Sequence, residues 1–451
     1  MYNSLRSILH IIDECDVVSF DMYDTLVFRA APVFEYMSAL LKVSDFAAKR
    51  IMAEKSCGSK KRGYTIYDIY ESMPVVSPLL EIELEIQIAI RNNEMKEVYD
   101  YAKKKGKHIV LTSDMYLPKK ILDRILSKIE IDVENTYVSC DHKKSKSEGD
   151  LYEVLKNDYP NMKILHIDDN SVCVKRAFEH KIVSYLYKCK VHEFKNKDHS
   201  FLYGIFERMA NIYLHNSQIQ DIPNYYIAAG VVFISTFQKL QELESNYDVF
   251  VFTDRDGYIL YKLFKDAFSI PCVYANINRK IRELIKDKGL GAFSSYIETL
   301  HMPKNAHILI IDGYSNTGSC KSVMLKYFKN VDLLAISTSQ PSVVINHYVF
   351  KEIGPVIENI LTAPYPRISG YNKKIIRHSD TADDMELYKP FNKFAVDGEA
   401  CFTDYYAYFD KFVLSLLENN DTLAKEINEC IERVLETVPN DVIYKQRNDF
   451  I

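Results

Sequence analysis

Acids, hydroxyls and lysines fall in this chain directly after short apolar runs. The run Val17-Val18-Ser19-Phe20 leads into Asp21, Tyr23 and Asp24, and Lys107 to Leu111 leads into Thr112-Ser113-Asp114. The run Lys163 to Ile167 ends in Asp168-Asp169-Asn170, and a lysine-rich segment, Lys143 to Gly149, lies between them. A carboxylate such as Asp21 can attack phosphorus as a covalent nucleophile or hold Mg2+, a hard cation that takes oxygen ligands. Thr112 and Ser113 offer hydroxyls to phosphate oxygens, a lysine can neutralise developing charge, and paired acids suit a metal. Taken singly, these are also the signatures of turns and solvated faces. Their order at successive strand ends, Asp, then Ser, then Lys, then Asp-Asp, is much more specific.

The second half repeats the pattern with other residues. The run His307 to Ile311 leads into Asp312-Gly313-Tyr314-Ser315-Asn316-Thr317-Gly318-Ser319. An acid followed by a small polar loop at a helix start makes a phosphate cradle of N–H groups and hydroxyls, unless it is a plain strand-to-helix turn. The run 248–252 ends in Thr253-Asp254-Arg255-Asp256, and Asn276, Asn278, Arg279 and Lys280 follow the strand at 272–274. Arginine forks suit a diphosphate and a carboxylate such as Asp256 suits proton abstraction; a surface ion-pair cluster has the same composition. Arg367 and Arg377, flanking Gly370-Tyr371, are weaker sites and read more readily as solvated.

The elements that must position these groups follow from periodicity. A helix over 3–14 precedes the first strand. Residues 31–104 read as a helical insertion, either a cap over the strand tips or a separate lobe. Strands near 107–111, 136–139, 163–167 and 182–186 then alternate with helices, which predicts a parallel, doubly wound sheet. The polar stretch 190–200 is the expected boundary, dividing the chain into 1–195 and 196–451. Beyond it, a helical segment over 201–245 opens a second α/β lobe with strands at 248–252, 272–274, 307–311 and 332–337. Residues 404–436 read as helical.

Composition narrows the class. The 451 residues are 47% hydrophobic and 26% charged, with a net charge of −5, which suits ordinary cores and argues against a broad nucleic-acid surface. The cysteines, nine and scattered without a CxxC pair, fit a reducing compartment without structural zinc. No run approaches the roughly 18 apolar residues of a membrane span, and the first residues lack a signal-peptide core. A cytoplasmic protein is the expectation.

The order of strand-end residues over about 15–190 resembles the haloacid dehalogenase superfamily of phosphatases. The resemblance implies Asp21 as nucleophile, Ser113 as phosphate-binding hydroxyl, Lys146 as the charge-neutralising lysine, and Asp21, Tyr23, Asp168 and Asp169 around Mg2+. That family usually has an acid–base Asp where this chain has Tyr23, and Gly where it has Asp24. The loop Asp312 to Ser319 is similar to the one with which phosphoribosyltransferases hold phosphoribosyl diphosphate, with Gly313 in place of a second acid. It implies Asp312, Ser315, Asn316, Thr317, Gly318 and Ser319 as substrate contacts, to which the fit of arginine to diphosphate adds Arg255 and Arg279. Joined, the two lobes resemble the dual-domain bacterial ribofuranosyltransferases. That resemblance implies transfer of 5-phosphoribosyl to a lipid-linked glycan at the inner membrane face, followed by removal of the phosphate. The alternatives are a sugar or nucleotide phosphatase with a regulatory phosphate-binding lobe, and a non-enzymatic scaffold.

Overall fold

The structure is a computed structural model that describes residues 5–41, 43–73, 76–188, 191, 201–218, 224–254, 256–277, 285, 291–341, 345–351, 361, 368–372 and 374–377. The chain divides into two compact units, Met1–Pro223 and Asn224–Ile451.

The first unit contains strands β1 (Val17–Phe20), β2 (Val27–Arg29), β3 (Ala89–Arg91), β4 (His108–Ser113), β5 (Asn135–Val138), β6 (Ile164–Asp168) and β7 (Val183–Leu186). Five of them form a parallel sheet in the order β5-β4-β1-β6-β7. All four residues of β1 are buried, as its β-branched, apolar run requires of a central strand covered on both faces. Strand order reverses at β1, so its carboxyl end and that of β6 border the crevice where such sheets bind ligands.

The helical insertion, or cap, is shorter than its periodicity implied. Helices Val33–Leu41, Phe46–Lys60, Ile66–Tyr70 and Pro78–Gln87 lie between β2 and β3, which pair antiparallel as a two-stranded stalk. The apparently continuous run from Leu79 to Met95 is broken after Gln87 by β3, and Asn92 starts the next helix. Its side chain caps the next helix by accepting from Glu94 N at 3.1 Å, and it donates to Thr25 O at 2.7 Å. That helix, Asn93–Lys104, packs on β4 and belongs to the sheet lobe, not to the cap. Within the cap, Arg50 and Glu81 are fully buried and form a two-pronged ion pair at 2.7 and 2.8 Å, with Tyr70 donating to Glu81 at 2.7 Å.

Of the expected boundary at 190–200, only Val191 lies within the described residues. The helix after it, Phe201–Asn216, is part of the first unit: Arg208 donates to Asp24 at 2.7 Å, and Asn216 accepts from Asn93 N at 2.9 Å. The expected single helical segment over 201–245 is two helices, Phe201–Asn216 and Asn224–Leu243, one in each unit.

The second unit has strands β8 (Val249–Phe252), β9 (Cys272–Tyr274), β10 (His307–Tyr314), β11 (Asn330–Thr338) and β12 (His347–Lys351) in a parallel sheet ordered β12-β11-β10-β8-β9. A hairpin of β13 (Ile368–Asn372) and β14 (Lys374–Arg377) follows. Here the switch point lies between β8 and β10, the two strands whose ends carry Thr253-Asp254 and Asp312. Strand β10 runs further than its apolar stretch. Asp312 and Tyr314 stay in register with Ala335 and Ser337 of β11, so the polar loop begins at Ser315. The helical run expected over 404–436 lies outside the described residues.

Candidate active sites

In the first unit the ladder of β1 continues one residue past the strand, Asp21 N donating to Ile167 O at 2.8 Å. This carries Asp21 to the sheet rim beside Asp168, the last residue of β6. One carboxylate oxygen from each of Asp21, Asp168 and Asp169 lies within 4.8 Å of the others; the first two acids are buried and the third is exposed. Of the lysine-rich segment, Lys146 is the residue delivered to them. Its ammonium donates to Asp21 Oδ1 and, at 2.6 Å, to Asp168 Oδ2, and only 3% of the residue is exposed. Asp114 sets that loop by accepting from Lys146 N at 2.7 Å and Ser147 N at 3.1 Å, a role that nothing in its spacing disclosed.

Burial, opposed by Lys146 and reinforced by the neighbouring acids, pushes the Asp21 carboxyl up. Burial works against the Lys146 ammonium, but Asp21 and Asp168 outweigh it and hold its pKa well above the ordinary value. Asp168 is likewise desolvated, yet Lys146 and His166 keep it below the carboxylate range. Burial, with Asp168 and Asp24 adding to it, raises Asp169 to about 6. Oxygen donors at this spacing, one face open, fit a small hard cation that retains water. A cation entering must displace the protons that the raised acids take up. Mg2+ affinity is therefore expected to fall as pH drops through 7 and 6, by about tenfold per unit once one proton competes fully. Isothermal titration in two buffers of different ionisation enthalpy checks this through the protons released.

Two sequence expectations need correction. Thr112 does not face the rim. It is fully buried, on the same face as Ser19, and its hydroxyl lies 2.8 Å from Ser19 Oγ. Alternation along β4 turns its neighbour Ser113 the other way, and Ser113 is 3% exposed. Tyr23 does not bring its side chain to the acids: its hydroxyl donates to Glu85 of the cap at 3.1 Å, and Arg29 stacks on its ring at 3.5 Å while bonding Glu85 at 2.9 and 3.0 Å. The ligand that Tyr23 can still offer a metal is its main-chain carbonyl. Asp24 sits at φ +54°, the left-handed conformation that glycine adopts most easily and Asp tolerates. The backbone therefore does turn there, and its carboxylate is held by Arg208.

In the second unit, Thr253 donates to Asp312 Oδ1 at 2.9 Å across the switch point. Burial raises the Asp312 carboxyl, against hydrogen bonds from Thr253, Ser315 and Cys320. Tyr274 donates to Asp254 at 3.1 Å. Ser315 N bonds Ser337 O at 3.1 Å, and Asn316 accepts from Thr338 Oγ1 at 3.1 Å and Ser339 N at 2.8 Å, so this part of the loop is anchored to the end of β11. Gly318, at φ +59°, turns the chain into helix Ser319–Met324, and Thr317 is exposed. A side chain at Gly313 would place its Cβ 2.5 Å from Asp256 Cβ and 2.8 Å from Asp256 Oδ2. The site of the expected second acid is thus already filled by Asp256, from another strand end. Gly313→Ala is expected to displace Asp256 and, if each unit carries an activity of its own, to lower that of this unit while any p-nitrophenyl phosphate hydrolysis by the first is unchanged. Arg255, Arg279 and Arg367 lie outside the described residues, as do Asn278 and Lys280; Arg377 ends β14.

No family model matches the chain, and no curated protein matches it in sequence. Among solved structures, it is similar to a HAD family enzyme from Bacteroides thetaiotaomicron, at 17% identity and a TM-score of 0.31, over 39% of this chain and 95% of that one. That enzyme has also been crystallised with magnesium and inorganic phosphate. A dehalogenase is similar at 14% identity and a TM-score of 0.30, over 41% of this chain and 90% of its own. A purine phosphoribosyltransferase from Pyrococcus horikoshii is similar at 20% identity and a TM-score of 0.19, over 27% of this chain and 80% of its own.

Proposed function

We propose that the chain is a bifunctional enzyme that transfers 5-phosphoribosyl from phosphoribosyl diphosphate to a glycan hydroxyl, and then removes the 5-phosphate. The observation that carries this reading is the convergence of Asp21, Lys146, Asp168 and Asp169 at the carboxyl rim of one sheet. Support for the transfer half is the set of Thr253, Asp254, Asp256 and Asp312 at the switch point of the other sheet, with a small polar loop beside it.

In the phosphatase step, an Asp21 oxygen attacks phosphorus. The ester P–O bond breaks, the sugar oxygen leaves and takes a proton from solvent water, and an aspartyl phosphate remains. Water attacks that phosphorus and releases orthophosphate, restoring the carboxylate. Lys146 offsets the charge gathered on Asp21 and the phosphoryl oxygens, and Ser113 supplies a hydroxyl to one of them. Mg2+, held by Asp21, Asp169 and Asp168 with the Tyr23 carbonyl, would supply further charge neutralisation when bound. In the transfer step, the glycan hydroxyl attacks the anomeric carbon as the C–O bond to diphosphate breaks. Asp256 accepts the hydroxyl proton, and Asp312 orients the ribosyl group. The phosphate is a handle for binding and is afterwards removed.

The reading is tested by supplying phosphoribosyl diphosphate, Mg2+ and a lipid-linked glycan acceptor. Diphosphate release that requires the acceptor, followed by one orthophosphate per diphosphate, is the expected result. Orthophosphate from small sugar phosphates with no acceptor-dependent diphosphate would replace it with a phosphatase bearing a phosphate-binding second unit.

A further inference from the structure

Beneath the acids of the first unit runs a chain of buried polar groups for which the two-step reaction has no direct use. Thr112 Oγ1 lies 2.8 Å from Ser19 Oγ, Ser19 Oγ lies 2.9 Å from His166 Nδ1, and His166 Nε2 lies 3.0 Å from Asp168 Oδ2. The three links come from three adjacent strands, β4, β1 and β6, with Ser19 and His166 directly paired in register. All three residues are fully buried, and the ring of Tyr152 packs edge-on against the imidazole at 5.2 Å. An imidazole and two hydroxyls in a sheet core are costly unless each finds a partner, and apolar side chains would fill that space without the risk.

The chain has one direction. Burial disfavours the imidazolium, and against an ionised Asp168, which only accepts, the neutral ring carries its proton on Nε2 and a lone pair on Nδ1. Ser19 then donates to Nδ1, and its oxygen in turn accepts from Thr112. The outcome is felt at Asp168. Its Oδ2 receives His166 and Lys146, while its Oδ1 receives Asn170 N at 2.8 Å. Without the imidazole, the lysine alone would direct Oδ2.

We propose that His166, with its tautomer set by Ser19 and Thr112, is a positioning residue that locks the Asp168 carboxylate in the orientation the Mg2+ site requires. The proposal rests on the assignment of Asp21, Asp168 and Asp169 to Mg2+ made above. Such outer partners of a ligand are worth about 10–100-fold in metal affinity.

The test titrates Mg2+ alone into the full chain, as wild type and as His166→Phe, His166→Gln, Ser19→Ala and Asp169→Asn, with thermal melts on each. His166→Phe is expected to weaken Mg2+ binding by about 10–100-fold. His166→Gln, whose amide can donate where Nε2 does, is expected to recover most of that loss. Ser19→Ala should weaken binding less, and should add nothing in the His166→Phe background, because both act through one chain. In metal-free protein, nitrogen-15 spectra of the imidazole should show the proton on Nε2. Wild-type affinity in a folded His166→Phe protein, additive losses, or a proton on Nδ1 would each overturn the proposal. If His166→Phe does not fold, His166→Gln and Ser19→Ala decide it. A wild-type chain that binds no Mg2+, or an Asp169→Asn chain that binds it equally well, would sink the metal assignment instead, and the imidazole spectra would still report on the hydrogen-bond chain.

Discussion

On the proposed two-step reaction, Asp21→Asn is expected to slow orthophosphate release by at least about 10^4-fold, as losing a covalent nucleophile does, while phosphoribosyl transfer continues. Phosphoribosylated glycan should accumulate, visible as a mass increase on the acceptor that alkaline phosphatase then reduces. Stability should move the other way. The Asp21 carboxyl is raised by burial, so at pH 8 its ionised form is unfavourable in the folded protein relative to the unfolded chain. A group whose folded pKa is raised costs stability above that pKa and costs nothing once pH falls below its unfolded value. Without metal at pH 8, the Asn protein should therefore melt above wild type, and the gap should close as pH falls from 7 towards 4. A normal dephosphorylated product from the Asn protein would refute the phosphatase assignment. A lower melting temperature at pH 8 would refute the electrostatic account of the site.

Lys146→Met should have the second-largest effect, with both properties falling together. The ammonium bridges two buried carboxylates, and among the described residues no other cation bonds both. Removing one member of a buried, hydrogen-bonded charge set costs about 3–5 kcal/mol, because the partners stay desolvated and uncompensated. Asp21 and Asp168 should respond by holding protons to higher pH, so the loss should be greatest at high pH and smaller near pH 5. Mg2+, if it binds between the same acids, should restore more stability to Lys146→Met than it adds to wild type. Thermal melts at pH 5 and 8, with and without Mg2+, measure this. An equal Mg2+ effect on the two proteins would place the cation elsewhere.

Much of the site was readable because strand ends announce themselves. An apolar, β-branched run that stops in acids, as at Phe20-Asp21 and Ile167-Asp168, constrains both the element and the residues at its tip. Of the lysine-rich segment, Lys146 is the residue whose ammonium reaches Asp21 and Asp168, and its place three residues before Gly149 was the only signal for choosing it. The helical insertion reads from the sequence as running to residue 104. Helical periodicity continued through Asn92, whereas the helix ends at Gln87 and the chain pairs with β2 as β3 before Asn92 caps the following helix.

What local pattern determined was which residues stand at the carboxyl ends of the strands, because burial on both faces leaves a period and a boundary in one dimension. What only the tertiary structure decided was where side chains from distant segments point. Thr112 turns to Ser19 and not to the rim, Tyr23 to Glu85 of the cap, and Asp24 to Arg208 from a helix beyond the expected boundary. Asp256 likewise fills the space at Gly313 that an adjacent acid would have taken. In each case the partner lies tens of residues or more away in sequence, and a hydrogen bond or a collision across such a gap has no signature in spacing.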